Sequence, residues 1–159
     1  MNRNKTIIGI IIICIDQLTK NLVQVFDADV NIINNFLRIK YVQNTGAAFS
    51  MFKGHTTILI LVSIVLLVLV YNLMFSYKET KLNNLSFGLI IGGIIGNLID
   101  RIFFQCVRDF IDINIFNFPI FNIADMAIVF GVIILLISSF MEGKNEHSSR
   151  KWRLFTKNR

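Results

Sequence analysis

Thr57–Phe75 reads TILILVSIVLLVLVYNLMF, nineteen consecutive residues without a charge. As a helix rising ~1.5 Å per residue, such a run is long enough to cross the hydrocarbon core of a bilayer. Outward from it, the whole chain is apolar. In 159 residues, 54% are hydrophobic and only 16% charged, too few charges for a soluble domain of this size. The expected fold class is an all-α integral membrane protein with four transmembrane helices, over about 7–25, 57–76, 85–103 and 120–141. One proline, nine glycines and no linker-like stretch point to a single domain over 1–159, with a polar basic tail over 142–159.

Arg3 and Lys5 followed by the run Ile7–Ile15 have the outline of a signal peptide, but no small-residue cleavage site follows and Ile13 before Cys14 poorly matches a lipoprotein cleavage box. The first run is therefore expected to stay as a helix. Within it Asp16 and Lys20, spaced i, i+4, share a face and form a pair directed at the bundle interior. Between the first two helices, IINNFLRIKYVQ (32–43) alternates loosely at period two and predicts a small sheet outside the bilayer. NTGAAF (44–49) then suits a tight turn and a short interfacial helix ending near Gly54, a segment placed to close over a bound substrate. Tyr77–Asn84 reads as a loop. In the third helix Gly88, Gly92 and Gly96 recur every fourth residue and allow close helix approach. That spacing holds Asn97, Asp100 and Arg101 at the helix end.

The net charge of +6 follows membrane topology and not nucleic-acid binding. Arg3, Lys5, Lys78, Lys81 and the tail residues Lys144, Arg150, Lys151, Arg153, Lys157 and Arg159 fall on one side. Arg38, Lys40, Lys53, Arg101 and Arg108 fall on the other. The positive-inside rule then puts both termini in the cytoplasm. The tail is either solvated or laid on the anionic inner leaflet. Cys14 and Cys106 form no C-x-x-C pair, and His55 and His147 are isolated, so neither a disulfide framework nor a metal site is supported.

Asp100, Asp109, Asp112 and Asp125 lie beside apolar segments between Gly96 and Asp125. Carboxylates there need pairing or a chemical purpose. Two carboxyls ~4 Å apart at an effective dielectric of about 20 repel by roughly 4 kcal/mol, enough to lift one well above its usual range. One would then be a base and the other an acid, the combination that activates water against a peptide carbonyl without a metal. Position favours Asp109, from the loop expected over Gln105–Pro119, with Asp125, at the start of the fourth helix. Asp100 competes by spacing, but its neighbour Arg101 suggests an ion pair. Asn122, in the same first turn as Asp125, is a natural N-cap.

The segments DQLTK (16–20), NTGAAF (44–49), GNLIDR (96–101), VRDFID (107–112) and FNIAD (121–125) together resemble the bacterial lipoprotein signal peptidases, the signal peptidase II family. The resemblance implies a membrane aspartic endopeptidase with a small extracytoplasmic sheet, needing no cofactor. It would cut prolipoproteins before the diacylglyceryl-modified cysteine and be inhibited by the cyclic peptide globomycin. Carried over by residue, it makes Asp109 and Asp125 the catalytic pair. The supporting positions are Asp16, Lys20, Asn44, Gly46, Asn97, Asp100, Arg101, Asn122 and Ala124. The partners implied are the lipidated substrate and membrane lipid; the location implied is the cytoplasmic (inner) membrane. Ile94 departs from the usual alanine and would alter helix packing or pocket width; Asp112 reads as a solvated loop residue. A proton-coupled transporter relaying through Asp16, Lys20 and Asp125 would call for internal repeats, which the sequence lacks. A non-catalytic assembly subunit would tolerate asparagine at Asp109 or Asp125.

Overall fold

The computed structural model describes residues 3–34, 36–46, 52–115 and 118–157, with side chains through residue 142. In chain order the elements are α1 (Arg3–Val25), β1 (Asp29–Ile33), β2 (Leu37–Asn44), α2 (Thr56–Phe75), α3 (Lys81–Phe104), β3 (Val107–Ile113) and α4 (Ile123–Lys157). Four of these are long and apolar enough to cross a membrane: Arg3–Val25, Thr56–Phe75, Lys81–Phe104 and Ile123–Glu142. The protein is thus all-α and membrane-spanning, with a small antiparallel sheet of order β1-β2-β3.

Helix α3 sits at the centre, against α4, α1 and α2. Its glycines make that position possible. A Cβ on Gly92 would lie 2.8 Å from the Gly9 carbonyl oxygen of α1, and one on Gly93 would overlap the Ala124 carbonyl of α4. Gly93→Ala is therefore expected to push α3 and α4 apart at a cost of about 1–3 kcal/mol, read as a lower thermal unfolding midpoint in detergent. Away from the glycines, Met74, Phe87, Ile90, Ile94 and Leu135 form a buried cluster joining α2, α3 and α4. Ile94 thus contributes to helix packing and lies away from the cavities described below. The outer face of α2 keeps Leu61, Val65 and Leu69 more than half exposed, as a lipid-facing surface requires.

Several expected boundaries shift for local reasons. Helix α3 begins at Lys81 because Thr80 caps it, its hydroxyl accepting from the Asn83 N–H at 3.1 Å, so the loop expected over 77–84 ends early. Helix α1 starts at Arg3, where buried Lys5 meets Glu79 at 3.3 Å. The stretch expected as a loop over 105–119 contains strand β3, which pairs with β2 in register Val42↔Asp109 and Asn44↔Val107. Its first four residues are buried on both faces, so no period-two pattern marks it in the sequence. Asp112 accordingly sits on a strand, opposite Arg38, and is only partly exposed. Helix α4 begins at Ile123 and not at Ile120, because Phe121 is held extended by Ile111: the Ile111 N–H donates to the Phe121 carbonyl at 2.8 Å, and the Phe121 N–H returns the bond at 3.1 Å. At its other end α4 continues to Lys157, so the tail carries on as helix beyond the span. The short interfacial helix expected between Asn44 and Gly54 falls on residues 47–51, outside the described residues.

Candidate active site

Three asparagines organise the cluster. Asn44 Nδ2 donates to Asp109 Oδ2 at 2.9 Å, and Asn122 Nδ2 to Asp109 Oδ1 at 2.6 Å. Asn97 Nδ2 donates to Asp125 Oδ1 at 2.7 Å, and the Asn122 backbone N–H to Asp125 Oδ2 at 3.2 Å. Each carboxyl is thereby held at both oxygens. What fixes the amides is an obligate donor on each oxygen. Lys20 Nζ donates to Asn97 Oδ1 at 3.0 Å, the Gly46 N–H to Asn44 Oδ1 at 2.9 Å, and the Asp125 N–H to Asn122 Oδ1 at 3.0 Å. With its oxygen so engaged, every amide must turn its NH2 towards a carboxyl. Asn122 is both the N-cap of α4 and, through its second N–H at 3.1 Å from Asn97 Oδ1, the link between the two halves of the cluster.

Behind these amides lies a buried, charge-balanced layer. Asp16 and Lys20 pair at 2.8 Å, Lys20 reaches Asp100 at 3.4 Å, and Arg108 meets Asp100 at 2.8 Å. Two anions and two cations in one dry layer compensate each other, which an unpaired charge there could not. Asp16 Oδ1 also accepts the Ala124 N–H at 2.9 Å, so an α1 carboxylate occupies the electropositive start of α4. Gly96 is required beside it, since a Cβ there would stand 2.7 Å from Asp16 Oδ2.

The ion pair expected between Asp100 and Arg101 is not formed. Neighbouring helix residues point about 100° apart, so Asp100 turns back towards Lys20 and Arg108 while Arg101 turns to the cavity. Arg108, counted from the sequence only as an outer basic residue, proves to be the hub of the layer. It is 1% exposed. Nε and Nη2 bond Asp100, Nη2 also bonds Gln17 Oε1 at 3.0 Å, and Nη1 bonds Asn21 Oδ1 at 2.5 Å and Gln24 Oε1 at 3.0 Å. The guanidinium also lies 4.0 Å above the Phe104 ring. A signal was available: residues 16, 17, 20, 21 and 24 form a polar stripe at helical spacing along an otherwise apolar α1.

Asp109 and Asp125 both line a cavity of about 520 Å³ with Asn44, Gly46, Asn97 and Arg101 at its polar end. Phe118, Phe121, Ile128, Val129 and Phe130 form its apolar wall. Asp16, Lys20, Asp100 and Ala124 do not line it and act from behind. Burial, reinforced by the Asp125 charge, pushes Asp109 up to about 7, against the opposing hydrogen bonds from Asn44 and Asn122 and the Lys20 charge. Between the unfolded value near 3.8 and about 7 the folded state holds the proton more tightly, so this carboxyl's contribution to stability is lost as pH rises through that window. The unfolding midpoint of Asp109→Asn relative to the parent should consequently rise between about pH 5 and about pH 8. A flat difference would contradict the shift.

Four spans, a small sheet at one end of the bundle and two amide-held carboxyls on a shared cavity describe the class of membrane-embedded enzymes to which intramembrane aspartic peptidases belong. Residues 8–141 match the model of the family described as signal peptidase (SPase) II, and the chain belongs to that family of aspartic endopeptidases acting on lipoproteins in membranes. Two solved structures agree. One, a bacterial membrane enzyme determined by the in meso method at 2.3 Å, is 30% identical with a TM-score of 0.80, covering 91% of this chain and 92% of that one. Another, a bacterial membrane enzyme determined by the same method at 1.9 Å, is 31% identical with a TM-score of 0.75, covering 87% and 93%.

Proposed function

We propose that this membrane aspartic lipoprotein signal peptidase cuts prolipoproteins immediately before the diacylglyceryl-modified cysteine, with Asp109 and Asp125 as the catalytic pair. The observation that carries this reading is the shared Asn122, which bonds both of these cavity-lining residues. The pair carries one proton between it near neutral pH, in keeping with the raised value of Asp109. The ionised carboxylate takes a proton from water as the water oxygen bonds to the scissile carbonyl carbon, and its protonated partner gives a proton to the carbonyl oxygen. Collapse of the tetrahedral intermediate breaks the C–N bond, and a carboxyl proton passes to the leaving amine. The products are the signal segment with a new carboxylate and the lipidated cysteine with a free amino group.

The supporting roles follow from the contacts. Asn44, Asn97 and Asn122 aim the carboxyls, Gly46 and Lys20 fix the amides, and Arg101 places a cation near the developing oxyanion. The apolar wall formed by Ile128, Val129 and Phe130 within the α4 span suits a hydrophobic signal segment, membrane lipid or a globomycin-type cyclic peptide. By the positive-inside argument the enzyme sits in the bacterial cytoplasmic membrane with both termini inside and this cavity near the outer face. The test is mass analysis of products from purified protein and a synthetic diacylglyceryl-modified prolipoprotein peptide beside its unlipidated twin. A single cut before the cysteine of the lipidated peptide alone supports the proposal. Cutting elsewhere, or equally in the unlipidated twin, overturns it.

A further inference from the structure

Asp109 faces two cavities. The second, of about 280 Å³, shares Asn44, Asp109, Pro119 and Ile120 with the larger one and continues past Val42, Gln43 and Thr45 to Lys53. The two differ in chemistry. The larger runs among α4 residues of a membrane span, whereas the smaller lies at the end of β2, beyond any span, and sets Gln43, Asn44, Thr45 and Lys53 beside the apolar Val42, Pro119 and Ile120.

A peptide with its scissile bond at Asp109 must leave in two directions, and its halves differ as the cavities do. The half before the bond is apolar and membrane-bound; the half after it begins with the lipidated cysteine, whose acyl chains stay in the membrane, and continues from the next residue as a water-soluble chain. We propose that the smaller cavity is the subsite for the first residues after the lipidated cysteine and that Lys53 gives it a preference for an acidic side chain there. This rests on the peptidase reading above.

Lys53 is exposed, but the backbone that carries it is anchored. It occupies a turn in which Phe52 and Gly54 adopt φ of +56° and +80°. The Gly54 N–H donates to the Thr45 carbonyl at 3.3 Å and the His55 N–H to the Phe52 carbonyl at 2.9 Å, tying the turn to the end of β2. Among the described residues lining this cavity Lys53 is the only cation and Asp109 the only carboxyl. An acidic side chain entering it meets one positive charge; a basic one is repelled.

The test uses diacylglyceryl-modified prolipoprotein peptides identical except for Glu, Gln or Lys at the second residue after the cysteine, cleaved in competition by the parent, Lys53→Gln and Lys53→Glu. The readout is the Glu-to-Lys ratio of kcat/KM within each enzyme, which cancels differences in protein quality. For an exposed charge the parent ratio should be about three- to tenfold, close to one in Lys53→Gln and inverted in Lys53→Glu. Raising salt to about 0.5 M should shrink the parent ratio. A ratio unchanged by Lys53→Glu, or a parent that favours Lys, overturns the subsite. If the parent leaves even the Gln peptide uncut, the peptidase reading itself falls, and the subsite with it.

Discussion

Asp125→Asn and Asp109→Asn are each expected to lower turnover of a lipidated prolipoprotein peptide by about 10³-fold or more while the protein stays folded. In the proposed mechanism one carboxyl takes a proton from water and the other gives one to the carbonyl oxygen, and an amide at either position can do neither. The geometry survives in large part, because one of the two donors at each position still finds an acceptor: Asn97 or the Asn122 N–H at 125, and Asn44 or the Asn122 amide at 109. Thermal unfolding of the same samples separates chemistry from misfolding. Asp100→Asn is the contrasting case. Asp100 is fully buried between Arg108 and Lys20 and does not line the cavity, so its replacement should lower stability first. Turnover lost in Asp100→Asn at unchanged stability, with turnover kept in Asp109→Asn, would reverse the assignment.

Arg108→Met is expected to destabilise the fold by about 3–5 kcal/mol, because it strips the guanidinium from a buried carboxylate and takes the donor from the side-chain oxygens of Gln17, Asn21 and Gln24. The backbone N–H of Arg108 also donates to Asp100 Oδ2 at 2.9 Å, so Asp100 grips β3 one residue before Asp109. Denaturation of Arg108→Met, Asp100→Asn and the double variant checks the account. The double variant should lose clearly less than the sum of the singles, since removing both charges leaves none uncompensated. Additive losses would show that the pair is not the coupled unit described.

The sites legible in the sequence were those set by local spacing. Asp16 and Lys20 at i, i+4 do pair, Asn122 does cap α4, and the glycines of α3 do admit close neighbours. Those that were not legible depend on partners far along the chain. Strand β3 looked like a loop because its ladder partner β2 is more than sixty residues away and its buried start shows no alternation. Asp100 seemed bound to Arg101 because adjacency in sequence suggests contact, whereas helix geometry sends the two side chains to different surroundings.

By itself the sequence determined the membrane fold class, since an uncharged run of bilayer length cannot be solvated otherwise, and it determined which polar residues need a reason to be there. Only the tertiary structure decided how those residues divide between a charge-balanced layer and a cavity. Burial, amide orientation and the pairing of charges are properties of side chains brought together from α1, α3, β3 and α4, and no single segment contains them.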